Sequence, residues 1–107
     1  MRAIVVGPNG AELTDALEAE GVEITRVEGL GTRPALEDAG VVEADTVVLT
    51  DAEAATAIPI AKDLNEDLRA VVYTAGDLPD FARGQADLIV DPQLLSADAV
   101  AEELAAE

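Results

Sequence analysis

Five short runs of β-branched and aliphatic residues recur along this chain, each separated from the next by a stretch with helical spacing or a turn. No other feature constrains the fold as much. The runs are Arg2–Gly7 (RAIVVG), Val22–Val27 (VEITRV), Asp45–Leu49 (DTVVL), Arg69–Thr74 (RAVVYT) and Asp87–Val90 (DLIV). Their length is that of strands, and runs apolar throughout suit strands covered on both faces. Helices between such strands, with right-handed crossovers, make a doubly wound sheet. The expected fold is therefore α/β, a five-stranded parallel sheet with strand 1 central. Val5, Val6, Val48, Leu49, Val72 and Ile89 are expected in its core. At 107 residues the chain makes one domain, large enough to bury roughly two-thirds of its unfolded surface.

The stretches between the runs carry helix signals. Leu13, Ala16 and Leu17 follow helical spacing until Gly21. Asn9 and Glu12 have the spacing of a capping box, N-cap and third helical residue. Gly29 to Pro34 reads as a loop, and Ala35–Ala39 as a short turn of helix stopped by Gly40. Asp51 is a good N-cap for a helix over Ala52–Asn65, in which Pro59 forces a kink or a restart at Ile58 or Pro59. A weak helix around Leu78–Arg83 and a final one to Glu107, capped by Ser96, complete the pattern.

Charge and composition exclude several functions. Asp and Glu total 23 against 6 Lys and Arg, a formal net charge of −17. A surface this negative argues against nucleic acid as a partner. With no Cys and no His, disulfides, thiol catalysis and the commonest general base are absent. No apolar run approaches the roughly 20 residues of a membrane span, and Met1-Arg2-Ala3 leads directly into a strand, so a soluble cytoplasmic protein is expected. The acids are spread along the chain, and Lys62 is the single lysine. This balance resembles proteins of salt-loving archaea. Salt would relieve the self-repulsion, since at about 1 M the Debye length is only about 3 Å. No dense oxygen-ligand spacing suggests a calcium site.

A more detailed resemblance begins at Ala39. The chain reads Ala39-Gly-Val-Val-Glu-Ala-Asp45 and Thr46-Val-Val-Leu-Thr-Asp51, then Leu64-Asn65-Glu66-Asp67-Leu68-Arg69. Gly84-Gln85-Ala86-Asp87-Leu88-Ile89-Val90 and Pro92-Gln93-Leu94-Leu95 follow. In order and spacing these segments resemble the N-terminal nucleotide-binding domain of potassium-transport regulators of the RCK/Trk type. The resemblance implies a Rossmann-like three-layer sandwich and a nucleotide-sensing role, with NAD or another adenine nucleotide as ligand. Members of that family have a further helix and strand after strand 2. Their loss here would turn a 3-2-1-4-5-6 sheet into one ordered 2-1-3-4-5.

The phosphate loop departs from the family. A Gly-x-Gly-x-x-Gly fingerprint is expected after strand 1, and the chain has Gly7-Pro8-Asn9-Gly10-Ala11-Glu12. Asn9 and Glu12 replace the second and third glycines, and the Glu12 carboxylate would compete for the amides that a phosphate uses. Glu28 matches the acidic ribose-binding position, although in so acidic a chain it reads first as a solvated acid at a strand end. A nucleotide, if bound, would lie outside the carboxyl ends of strands 1 and 3. Gly7, Asn9, Gly10, Glu28, Thr50, Asp51 and Thr74 would line that site. The degenerate loop favours no cofactor and predicts binding weaker than about millimolar.

Two other classes compete. A response-regulator receiver domain has the same strand order, and Asp51 follows strand 3 as a phosphoacceptor would. Its chemistry needs acids after strand 1 for magnesium and a Lys after strand 5, where this chain has Gly7-Pro8-Asn9 and Asp91. Phosphoryl transfer at Asp51 is therefore disfavoured, and no nucleophile–base pair suggests an enzyme. A scaffold or interaction module without a ligand is the remaining alternative. The Ala-rich stretch after Asp51 leaves room for a homodimer.

Overall fold

Val5 stands opposite Val48, and Val48 opposite Val71, so one row of β-branched side chains crosses three strands on a single face. The next row, Val6, Leu49, Val72 and Ile89, crosses four strands on the other face. The computed structural model describes residues 1–7 and 10–106. Its strands are β1 (Arg2–Val6), β2 (Glu23–Val27), β3 (Thr46–Leu49), β4 (Arg69–Tyr73) and β5 (Leu88–Val90). All pair in parallel, in the order 2-1-3-4-5. β1 is interior, as expected, but the middle strand is β3.

Helices cover both faces. On one, α1 (Ala11–Ala19) and α5 (Ala97–Ala105) bury Leu13, Leu17, Val100 and Leu104 against Val5, Val48 and Val71. On the other, α2 (Arg33–Asp38), α3 (Ala57–Leu64) and α4 (Asp80–Arg83) supply Leu36, Ile58, Ala61 and Ala82. Burying each large aliphatic side chain contributes roughly 1.5–3 kcal/mol. Small residues at Ala57, Ala61 and Ala82, all fully buried, let the helices approach the sheet closely.

Local chemistry explains where the helices start. The Ser96 hydroxyl accepts the Ala99 amide at 3.1 Å, capping α5 as its sequence suggests. The Asp51 carboxylate accepts the Glu53 amide at 2.9 Å, but caps only a short 3-10 turn, Ala52–Ala54. The helix then restarts at Ala57, earlier than the expected Ile58 or Pro59. Pro59 thereby occupies the third helical position, where its missing N–H has no intrahelical partner to lose. Similarly, α2 begins at Arg33 with Pro34 in its first turn, so the expected loop is two residues shorter. A 3-10 turn at Val41–Glu43 has no sequence signal. It is fastened from a distance by Asn65, whose Nδ2 donates to the Val41 and Ala44 carbonyls at 3.0 Å each.

Two further expectations change. Ile89 is 49% exposed and not core, because β5 is an edge strand and four-residue α4 does not extend over it. The capping box at α1 also changes, since Gly10 holds the N-cap position and Glu12 is the second helical residue. Asn9 lies outside the described residues. Among the described residues, no helix is long and apolar enough to cross a membrane.

Candidate functional site

The carboxyl ends of β1, β3, β4 and β5 and the start of α1 meet at one edge of the sheet, the topological switch point where open α/β folds place ligands. Gly7 ends β1 with φ +123°, and Gly10 precedes α1 with φ +89°. Thr50, the first residue beyond β3, fills the space that both leave. A Cβ at Gly7 would collide with Thr50 Oγ1, and one at Gly10 would stand 2.5 Å from Thr50 Cγ2. Thr50 is 2% exposed, and its hydroxyl donates to the Val6 carbonyl at 3.2 Å. The close approach of β1 and β3 thus depends on two positive-φ glycines wrapped around one threonine.

Arg26 holds the same turn from the opposite side. Its Nη2 donates to the Gly7 carbonyl at 2.9 Å and its Nη1 to Thr14 Oγ1 at 3.1 Å. Neither Arg26 nor Thr14 stands out in the sequence. Arg26 occupies an outward position of an alternating strand, and its two partners lie 12 and 19 residues away.

Beside this turn is a cavity of about 390 Å³, lined by Gly10–Glu12, Thr50, Tyr73–Ala75 and Pro92. Its size falls within the lower range of small-ligand pockets. The Thr74 hydroxyl oxygen accepts the Gly76 amide at 3.2 Å, leaving its proton available to the cavity. Burial, and then the negative charge of Glu12, push the Tyr73 hydroxyl above its ordinary pKa. The carboxylate at the start of α1 therefore projects its field into the space an anion would need.

Of the expected site residues, Gly10, Thr50 and Thr74 line the cavity, while Gly7 and Asp51 pack behind Thr50. Glu28 stands apart, exposed beyond β2, whose Val27 carbonyl accepts the Gly7 amide at 3.4 Å. Asn9 is outside the described residues. Asp91, after β5, spends its carboxylate on the Gln93 amide at 2.8 Å. Among the described residues, no group of three or more acidic side chains could hold a metal ion.

Solved structures with this architecture include response regulators. HP1043, an orphan response regulator of H. pylori, is 21% identical with a TM-score of 0.76, over 99% of this chain and 94% of that one. An atypical orphan response regulator, described with a phosphorylation-independent regulatory mechanism, is 21% identical with a TM-score of 0.74, over 99% and 93%. The receiver domain of NtrC4 from Aquifex aeolicus is 20% identical with a TM-score of 0.63, over 95% and 96%. At such identities the likeness establishes the fold alone. No curated protein matches the sequence.

These comparisons overturn the resemblance to potassium-transport regulators, and with it the nucleotide-sensing role and the nucleotide-binding expectation drawn from it. The 2-1-3-4-5 sheet is complete in itself, and α2 and the 3-10 turn Val41–Glu43 connect β2 to β3 with no further strand between them. Segments such as Asp45–Leu49 and Asp87–Val90 are what any doubly wound sheet requires at strand entries. Their collinearity reports the architecture that the two folds share. Residues 3–104 match the model of a family of unknown function, DUF7126, and the chain belongs to that family.

Proposed function

We propose that this chain is a cytoplasmic, non-catalytic, receiver-like module that works through protein contacts without accepting a phosphoryl group. The observation that carries this reading is the state of Thr50 and its surroundings. Thr50, buried and bonded to the Val6 carbonyl, directly precedes the position after β3 where a phosphorylated receiver carries its accepting carboxylate, which here is Asp51. The neighbouring Asp51 is occupied in capping the Glu53 amide. Magnesium-holding acids are missing from Gly7-Pro8-Asn9, and the cation that would grip a phosphoryl oxygen is replaced by Asp91. The residues present do not fit a magnesium ion or a phosphoryl group.

A solved relative in fold described as regulating independently of phosphorylation supports the same reading. The test is incubation of the domain with acetyl phosphate and magnesium, followed by intact-mass measurement. The expected mass is unchanged. A gain of one phosphoryl group, lost on Asp51→Asn, would return the domain to the phosphorylated class.

A further inference from the structure

The cavity of about 390 Å³ beside Thr50 presents hydrogen-bond donors that no contact among the described residues consumes. Tyr73, the last residue of β4, lines it and is only 8% exposed. Its hydroxyl bonds to none of the described residues, and yet no side-chain polar atom sealed within them lacks a partner. The hydroxyl therefore reaches open space, and the cavity is the opening that Tyr73 lines. Burial and the Glu12 charge raise its pKa, so it keeps its proton near neutrality and acts as a donor. The next residue, Thr74, lines the cavity too, with its hydroxyl proton to spare.

The start of α1 adds further donors. Its first amide to bond within the helix is that of Thr14, to the Gly10 carbonyl at 2.9 Å. Those of Ala11, Glu12 and Leu13 thus have no helical partner, and Gly10 at the N-cap has no side chain to satisfy them. Ala11 and Glu12 both line the cavity. Open amides at the positive end of a helix, beside two hydroxyls, suit an acceptor rich in oxygen such as a carboxylate. A simple anion is opposed by Glu12, the one charged side chain on the cavity wall, and by the −17 charge of the chain. That opposition ends when the ligand brings its own cation to Glu12. Ala75 and Pro92 make an apolar stretch of wall, which suits an aliphatic body.

We infer that this cavity binds a small zwitterion of the α-amino acid class with an aliphatic side chain. The ligand carboxylate accepts from the open α1 amides and the Tyr73 and Thr74 hydroxyls. Its ammonium pairs with Glu12, and its side chain lies on Ala75 and Pro92. A nucleotide does not meet these terms, since its phosphates bring several negative charges and no cation. The inference goes beyond the interaction-module reading by giving the module a ligand.

The probe is L-valine. Two controls each keep its aliphatic body: isovalerate, which lacks the ammonium, and isobutylammonium, which lacks the carboxylate. Amide chemical shifts of the full chain are followed in about 1 M potassium chloride, which screens the general charge and leaves direct contacts in place. Valine is expected to shift Ala11, Glu12, Thr74 and Ala75 first, and to bind at least tenfold tighter than either control. Tyr73→Phe keeps the ring and removes the hydroxyl, and is expected to weaken valine about fivefold. Glu12→Gln, at an exposed position, is expected to weaken valine and to strengthen isovalerate, because the opposing carboxylate is gone. A purely structural role for Glu12 would not reverse that preference. Should Tyr73→Phe lose its native spectrum, Glu12→Gln alone decides. The absence of a saturable shift with valine, equal binding of either control, shifts centred elsewhere, or a Glu12→Gln variant that binds all three as the native chain does would overturn the inference. Phosphorylation by acetyl phosphate would count against the reading of function and leave these outcomes unaltered.

Discussion

The Thr50 hydroxyl donates to the Val6 carbonyl, the same oxygen that accepts the Thr50 amide at 2.9 Å. One carbonyl at the end of β1 thus secures both backbone and side chain at the end of β3. The threonine is turned inward and presents no nucleophile to solvent. Gly7 and Gly10 are shaped around it, so that packing closes the β1–β3 side of the neighbouring cavity.

Gly7→Ala tests that closure. The new methyl would meet Thr50 and the Asp51 amide, in a backbone region that side chains rarely adopt. A loss of at least about 2 kcal/mol is expected, read from the urea midpoint at unchanged slope. A loss below about 0.5 kcal/mol, within the range of ordinary surface substitutions, would show that the turn relaxes freely.

Arg26 joins β2 to the turn through Gly7 and Thr14. Arg26→Ala should cost about 1–2 kcal/mol, and Arg26→Lys should recover only part, because an ammonium cannot span both acceptors as the guanidinium fork does. Amide hydrogen exchange at Ala11 and Glu12 is expected to quicken in both variants. Unchanged exchange would confine Arg26 to surface solvation.

Salt should stabilise the domain strongly. Ion pairs among the described residues, such as Arg2 with Glu23 and Glu43, Arg33 with Asp63 and Lys62 with Asp87, cannot neutralise most of the 23 acids, since the chain has only 6 Lys and Arg. Self-repulsion among the rest falls as the Debye length shortens from about 10 Å at 0.1 M to about 3 Å at 1 M. The thermal midpoint should climb over that range and then level off. A midpoint indifferent to potassium chloride would remove repulsion from the account.

Asp87 gives a pH dependence of known sign. Burial pushes its carboxyl up, but the Ala70 amide and the Lys62 ammonium, each at 2.8 Å, with Arg69 nearby, hold it below the ordinary carboxylate range. A depressed carboxylate contributes stability above its unfolded pKa of about 3.9 and loses it as pH falls through the folded value. The stability gap between the native chain and Asp87→Asn should therefore be constant near neutrality and shrink below about pH 4. A gap that widened in acid would reverse the assignment. Solvent reaches nearly half of the side chain, so the gap should stay near 1 kcal/mol.

Much of the architecture was legible in local pattern. The strands Arg2–Val6, Thr46–Leu49 and Arg69–Tyr73 read as covered on both faces because they are apolar throughout. Ser96 and Asp51 read as caps because a short polar side chain before a helical stretch can satisfy an amide that the helix leaves open. From those elements and the handedness of crossovers a doubly wound parallel sheet follows, whereas the expected order 2-1-3-4-5, which the sheet has, was reached through the overturned family resemblance.

The same local reasoning could not separate two families that share these elements, nor place the residues that close the site. Val72 and Ile89 have similar sequence surroundings and adjoin in the sheet, yet one is buried and the other half exposed. The difference is made by the shortness of α4 and the position of β5 at an edge. Tyr73, on β4, acquires its raised pKa from burial and from Glu12 of α1. Arg26 becomes a latch only when β2 lies beside β1 and brings it to Gly7. The strands, the caps and the parallel doubly wound arrangement are written in the sequence, because propensity, patterning and crossover hand act within a few residues or between consecutive elements. Coverage of an edge, a long-range hydrogen bond and the lining of a cavity arise between distant segments and exist only once the chain has folded.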